Sequence, residues 1–257
     1  APIGDGTASK SGKSTLLNAL TQMKTPTGSH GFTTIEPVIG MMRVQGTNVQ
    51  LVELPAIVHG SSIGKANGPQ IISVARNADA LALVVNGRNA TKDVYTLTEE
   101  LRKFKIILNR SMPAIEVKQN PFGGIQVDGK QFLKMPVEQL MNFLKSAGYA
   151  HCHFTARENV TMEKLVQALD AGIQYKKAVC IAWGALPPTG ELGKAFRGPV
   201  HAFKDLTDAN APEELRGPLF NLLDKILVYT KKPGREPDMK APMVLNSNNT
   251  VEDLAVQ

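Results

Sequence analysis

No apolar run in the 257 residues approaches the length of a membrane span, and the N-terminal residues carry no signal-peptide pattern. The expectation is a cytoplasmic protein with no membrane partner. Cysteine is scarce as well. Cys152 and Cys180 stand far apart among neighbours that suggest strands, a pattern that favours buried thiols over a disulfide or a metal site. Acidic residues are outnumbered, 23 against 29 lysines and arginines, for a net charge of +6. That balance favours an anionic partner without naming it, because the same charge suits a protein that merely stays soluble. What is present is an ordinary globular composition, 42% hydrophobic and 20% charged, and enough chain for one large or two modest domains.

Chemistry concentrates first at Ser9-Lys10-Ser11-Gly12-Lys13-Ser14-Thr15, followed by the apolar pattern of Leu16-Leu17-Asn18-Ala19-Leu20. Gly-Lys-Ser-Thr opening a helix is how a phosphate-binding loop ends. Glycine lets the backbone close on the anion, successive amides point inward, and the helix N-terminus adds partial positive charge. Lys13 would reach the β- and γ-phosphates, and the Ser14 hydroxyl would ligate magnesium. The full pattern also asks for a glycine where this chain has Thr7, with Gly6 one residue too early. A plain turn before a helix therefore remains the alternative for this loop alone.

Further along, Val38–Val44, a turn at Gln45-Gly46-Thr47-Asn48 and Val49–Leu54 read as a hairpin closed by Pro55. Gln70–Ala75 suggests a helix, and Ala80–Asn86 is a short apolar run of the kind that forms a buried parallel strand. Strands alternating with helices imply an α/β sheet. Between about 94 and 162 the character changes. An amphipathic helix over Val94–Lys105 ends in Arg102, Lys103 and Lys105; strand candidates follow at Ile115–Val117 and Gly124–Val127, then a helix over Val137–Ser146. The segment reads as a small α+β insertion. The sheet resumes with a helix over Thr161–Leu169, the run Ala178–Ala182 with Lys176 and Lys177 before it as solvated charges, a strand at Pro199–Ala202, and a helix from Pro212 to Tyr229 that Gly217-Pro218 would kink or restart. A hairpin running from Val228 to Leu245 and a capped helix opening at Thr250 complete the pattern.

Several segments together resemble the developmentally regulated GTP-binding proteins, a branch of the Obg-like, translation-factor-class P-loop GTPases. The resemblance rests on Gly12 to Leu20, Phe32-Thr33-Thr34-Ile35-Glu36-Pro37-Val38, Val49 to Pro55, Val74 to Ala80, Glu100-Leu101-Arg102 through Asn109, and Val228 to Gly234, in the family's order and spacing. It implies a Ras-like P-loop GTPase domain built from residues 1–97 and 161–224, an α+β insertion over 98–160, and the start of a C-terminal TGS (β-grasp) domain over 225–257. It also implies GTP and GDP as ligands with Mg2+ as cofactor, association with the ribosome and its RNA, and a small stabilising partner protein.

The site residues follow from the same resemblance. Lys10, Ser11, Gly12, Lys13, Ser14 and Thr15 match the phosphate loop; Thr33 and Thr34 match the switch segment, where a threonine closes on magnesium and the γ-phosphate. Lys13 and Thr34 are the catalytic candidates, and Ser14, Thr34 and Glu53 the metal-holding ones, Glu53 standing where the family has aspartate. Ala56 stands where it has a glycine whose amide senses the γ-phosphate, and Ile57 where Ras-like enzymes place the water-orienting glutamine. Water orientation must then come from elsewhere, such as a K+ ion or a partner. Lys10 lies near the place of such a cation in related enzymes, so its ammonium is a candidate substitute. The family's guanine-reading Asn-Lys-x-Asp aligns with Trp183-Gly184-Ala185-Leu186, which keeps no carboxylate. Trp183 is a candidate to stack on a purine, against a plain core role, and Ala202 retains the amide that meets the base.

The function expected is a GTP-hydrolysing switch on the translation apparatus. The alternative is a non-enzymatic ribosome- or RNA-associated module with a degenerate nucleotide site. His151-Cys152-His153 reads as strand surface in preference to zinc ligands, since no third ligand lies nearby in sequence. The clusters Arg102, Lys103, Lys105, Arg110 and Lys231, Lys232, Arg235 read first as solvated faces and second as RNA-phosphate contacts.

Overall fold

The computed structural model describes residues 2–4, 12–21, 23, 37–57, 59–63, 68–87, 89–186, 189–206, 210–231, 234, 236–237, 239, 242–250 and 252–253. The chain divides into two compact units, Ala1–Asn109 with Lys176–Gln257, and Arg110–Tyr175.

The first unit begins with β1 (Pro2–Gly4) and α1 (Lys13–Thr21), followed by the hairpin β2 (Val38–Val44) and β3 (Thr47–Glu53). Gln45 and Gly46 both take positive φ, 48° and 81°, the primed turn whose twist matches its strands. Then come α2 (Gly68–Asn77), β4 (Ala80–Asn86), α3 (Ala90–Lys103) and β5 (Ile106–Leu108). In the second unit, β6 (Ile115–Gln119), β7 (Ile125–Asp128), α4 (Val137–Ser146), β8 (Cys152–Ala156) and α5 (Met162–Leu169) precede β9 (Gln174–Trp183), along which the chain returns to the first unit. The rest is α6 (Thr189–Ala195), β10 (Val200–Phe203), α7 (Asn210–Asn221), β11 (Lys225–Val228) and β12 (Met243–Asn246).

The central sheet runs β1-β4-β9-β10, all parallel, with β5 also paired to β9. Its strands are apolar on both faces because each face has its own core. Leu81, Leu83 and Val85 of β4, with Ala178, Cys180 and Ala182 of β9, pack against α2, α3 and α6. The intervening Ala82, Val84, Val179 and Ile181 pack with Leu16 and Leu20 of α1, Met42 and Val44 of the hairpin, and Leu215, Leu219 and Phe220 of α7. This two-sided burial explains why β4 and β9 read as continuous apolar runs. At about 1.5–3 kcal/mol for each fully buried large aliphatic side chain, it is the dominant stabilising term. An orphan edge of β9 is filled by a side chain: Asn109 Nδ2 donates to the Ala178 carbonyl at 3.0 Å, and the Ala178 amide donates to Asn109 Oδ1 at 2.8 Å.

The second unit is a three-stranded sheet, β6-β8-β7, antiparallel between β6 and β8 and parallel between β7 and β8. Phe154, Cys152 and Ala156 of β8 share a core with Leu140 and Leu144 of α4 and Leu165 of α5. This unit spans 110–175 where the sequence reading drew an insertion over 98–160; residues 98–103 are the last turns of α3 and bury Leu101 in the first unit.

Three local expectations change. Lys176 and Lys177 lie within β9 and not ahead of it; Lys177 is exposed as expected, whereas Lys176 is half-buried. Lys176 Nζ donates to the Ala78 carbonyl, its burial lowering the ammonium pKa, and Lys177 pairs with Asp224. The helix expected to reach Tyr229 ends at Asn221, and Lys225–Val228 pairs antiparallel with Met243–Asn246 instead. Pro218 neither ends nor restarts α7. The buried Leu215, Leu219 and Phe220 hold that helix together across the hydrogen bond that proline removes. At the C-terminal end, Thr250 Oγ1 accepts from the Asp253 amide at 3.3 Å while the Asp253 carboxylate accepts from the Thr250 amide at 2.6 Å, a reciprocal cap. No helix among the described residues is long and apolar enough to cross a membrane.

Candidate nucleotide site

In an open parallel sheet, ligands bind beyond the carboxyl ends of the strands. Here β4, β9 and β10 end level with one another, Asn86 and Phe203 both in register with Trp183. The loops that follow are tied together, the Gly87 amide donating to the Trp183 carbonyl and the Gly184 amide to the Phe203 carbonyl, each at 3.0 Å. On the same strand–loop–helix path, β1 leads to α1, whose first residue is Lys13. The Gly12 carbonyl accepts the Leu16 amide at 2.8 Å, so Gly12 is the residue on which the helix starts. Its φ of +86° lies in the left-handed region that glycine enters without cost.

Two of the expected metal-holding residues meet. Ser14 Oγ donates to Glu53 Oε1 at 2.7 Å, joining the first turn of α1 to the last residue of β3 across 39 positions of sequence. A hydroxyl and a carboxylate converging beside a helix N-terminus form a hard-oxygen donor set that fits magnesium. Thr15 follows in the same first helical turn. Downstream of Glu53, Ala56 is half-buried and Ile57 is fully buried in the core with Leu54 and Ile71. A side chain locked there cannot orient an attacking water.

Trp183 is half-buried and packs on the α1 side of the sheet. Its indole lies against the phosphate loop: a Cβ built on Gly12 would stand 2.5 Å from Trp183 Nε1 and 2.9 Å from Leu206 Cδ1. Sequence reasoning offered base stacking or core for this tryptophan and did not place it on Gly12. Ala202 pairs in register with Ala182 one position before the end of β10, and is exposed. Lys10, Ser11, Thr33 and Thr34, and with them one catalytic and one metal-holding candidate, lie outside the described residues, as does Thr7.

The other candidates resolve into local pairs. His153 Nε2 lies 2.7 Å from Asp128 Oδ2, and His151 Nδ1 accepts the Gly124 amide at 3.0 Å. Among the described residues no group of three or more His, Cys, Asp or Glu is arranged to hold a metal. Arg102 pairs with Glu99 and Lys103 with Glu100. Glu100, buried on α3 against the loop after Ile57, is the residue that sequence reasoning missed. Its signal was an acid on the apolar face of an amphipathic helix, in step with Val94, Leu97 and Leu101.

A parallel sheet with helices on both faces, a Gly-Lys-Ser-Thr helix start at its carboxyl edge, and a serine–carboxylate pair beside it define a phosphate-loop nucleotide-binding domain. A family profile described as "50S ribosome-binding GTPase" matches residues 8–115. An uncharacterized GTP-binding protein of Halobacterium salinarum is 28% identical over 255 residues, covering 96% of this chain and 68% of that protein. Developmentally-regulated G-protein 1 of Arabidopsis thaliana is 29% identical over 94% of this chain and 62% of its own length. The Developmentally-regulated GTP-binding protein 2 homolog of Dictyostelium discoideum is 27% identical over 95% and 67% respectively. The chain thus spans about two thirds of the length of these relatives. It carries a GTPase domain and is a relative of the developmentally regulated GTP-binding proteins.

Proposed function

We propose that this chain binds GTP with Mg2+ and hydrolyses it as a switch acting on the ribosome. The observation that carries the reading is the 2.7 Å hydrogen bond from Ser14 to Glu53, which brings a hydroxyl and a carboxylate together beside the start of α1. Lys13 and the loop amides would neutralise phosphate charge, and Ser14 and Glu53 would hold the metal, which would supply electrostatic stabilisation to the transferring phosphoryl group. Thr34 closes on the γ-phosphate. With Ile57 buried, a potassium ion, the Lys10 ammonium or a partner supplies the remaining charge. Support for the ribosome comes from the match to a ribosome-binding GTPase family and from a net charge of +6 suited to RNA phosphates. A small stabilising partner protein and a TGS domain beginning near Lys225 complete this reading.

One observation favours a second reading, a ribosome- or RNA-associated module with a degenerate nucleotide site. Trp183-Gly184-Ala185-Leu186 offers guanine no carboxylate. Losing a charge-assisted bidentate contact costs on the order of a few kcal/mol, about a hundredfold in affinity. Titration with fluorescent GTP and ATP, with and without magnesium, separates the two. Micromolar, magnesium-dependent binding that prefers GTP supports the first reading; no binding of either nucleotide at high concentration supports the second.

A further inference from the structure

Helix α3 buries Val94, Leu97 and Leu101 completely, and on the same face it carries Glu100, only 1% exposed. A carboxylate so placed is costly unless its lone pairs are filled. Its donors come chiefly from one short loop. The Ser62 amide donates to Oε2 at 3.0 Å, and the Gly60 amide and Ser62 hydroxyl also donate to the carboxylate. Lys103 Nζ donates to Oε1 at 2.8 Å, and His59 Nδ1 lies 3.7 Å away. Burial by itself raises the Glu100 carboxyl, but these donors more than offset it and hold the pKa at about 2. The anchor is therefore charged throughout the neutral range.

The loop is also pinned from the opposite side. Gly68, the first residue of α2, lies so close that a Cβ there would stand 2.1 Å from the Ser61 carbonyl oxygen and 3.2 Å from Phe104 Cζ. Ser61 itself is fully buried. Gly60–Ser62 is thus clamped between α3 and α2, while Ile57 is fixed in the core three residues earlier. Ala56 sits next to that fixed point.

We propose that Glu100 is a positioning residue that holds Gly60–Ser62, and with them the neighbouring Ala56 and Ile57, where the site distinguishes a nucleoside triphosphate from a diphosphate. The inference rests on the GTPase reading above. Gly12–Thr15 serve the phosphates that both nucleotides share, and the anchored segment serves the one that differs. Removing the charge on Glu100 releases the Gly60 and Ser62 amides and loosens the segment without touching the shared contacts.

The test uses the full chain as wild type, Glu100→Gln and Gly68→Ala, the last pressing on Ser61 from the other side without altering the anchor. Hydrogen exchange over residues 59–63 is read alongside affinities for GDP and a non-hydrolysable GTP analogue. Loss of charged hydrogen bonds of this kind predicts about tenfold faster exchange and about tenfold weaker binding of the analogue, with GDP affinity held within about twofold, in both variants. Equal losses for GDP and the analogue, or unchanged discrimination in both variants when the wild type discriminates, overturn the role of Glu100 alone. A wild type that binds neither nucleotide overturns the GTPase reading and this role together.

Discussion

The indole of Trp183 occupies the space that any side chain on Gly12 would need, its Nε1 2.5 Å from the position of a Cβ there. The contact joins the end of β9 to the start of α1. It makes Gly12 obligatory twice over, by its φ of +86° and by its neighbour. Gly12→Ala should therefore destabilise the fold by about 1–2 kcal/mol from the left-handed backbone alone, with an added overlap cost. Urea unfolding of Gly12→Ala, Trp183→Ala and the double variant measures this. The double variant should lose less than the sum of the singles, because removing the indole relieves the overlap.

The same contact makes the tryptophan a reporter. Trp183 is the only tryptophan in the chain, so intrinsic emission reads this position alone. Nucleotide binding at Gly12–Thr15 should shift or quench it in a saturable titration. A titration in which bound nucleotide, confirmed by equilibrium dialysis, leaves the emission unchanged would show that the base and phosphates sit away from the indole.

Ser14→Ala and Glu53→Gln each remove one side of the pair that is expected to hold magnesium. Each should weaken magnesium-dependent nucleotide binding by about tenfold or more, at 1.5–3 kcal/mol for a hydrogen bond to a charged group, and change binding in EDTA far less. Isothermal titration with and without the metal makes the comparison. An equal loss in both conditions would assign the pair a structural role.

The folded-state pKa of Glu100 is depressed from about 4.5 to about 2. Its ionised form therefore stabilises the fold above pH 4.5, and that contribution fades as pH falls from 4.5 towards 2. Replacing it with glutamine removes the titration, so the acid limb of a stability–pH curve should flatten in this window by an amount on the order of 2–3 kcal/mol. Chemical denaturation across that range is the measurement.

Both thiols are buried, and burial pushes Cys180 up to about 12 and Cys152 upward as well. Neither should react with iodoacetamide at pH 8 in the native protein, and both should react in urea, as read by intact mass. Labelling of native Cys180 would mean that the central sheet opens on the time scale of the reaction.

Elements whose stability is local or periodic were legible from the residues. Val137–Ser146 and Ala80–Asn86 have the bounds that their apolar spacing predicts, and Cys152 and Cys180 are the buried thiols that their neighbours suggest. The short strand Ile106–Leu108 was legible only as part of a resemblance, because three residues gain strand geometry from a partner, here β9. The helix expected to run to Tyr229 stops at Asn221 because Lys225–Val228 finds its hydrogen bonds in Met243–Asn246; the expected hairpin begins three residues earlier than its local pattern indicates, inside the expected helix. Lys176 reads as a solvated charge until the carbonyl of Ala78, 98 residues away, proves to be its partner.

By itself, the sequence determined the two central strands of the sheet, β4 and β9, since runs apolar at every position can be satisfied only by burial on both faces. It also marked the start of α1, since Gly12-Lys13-Ser14-Thr15 is a local arrangement of backbone and helix end. Only the tertiary structure decided that Ser14 meets Glu53, that Trp183 closes on Gly12, and that Glu100 takes its donors from Gly60 and Ser62. Each joins residues at least 38 positions apart. Contacts of that range are set by where the two cores place α1, β3, β9 and α3, and by no periodicity along the chain.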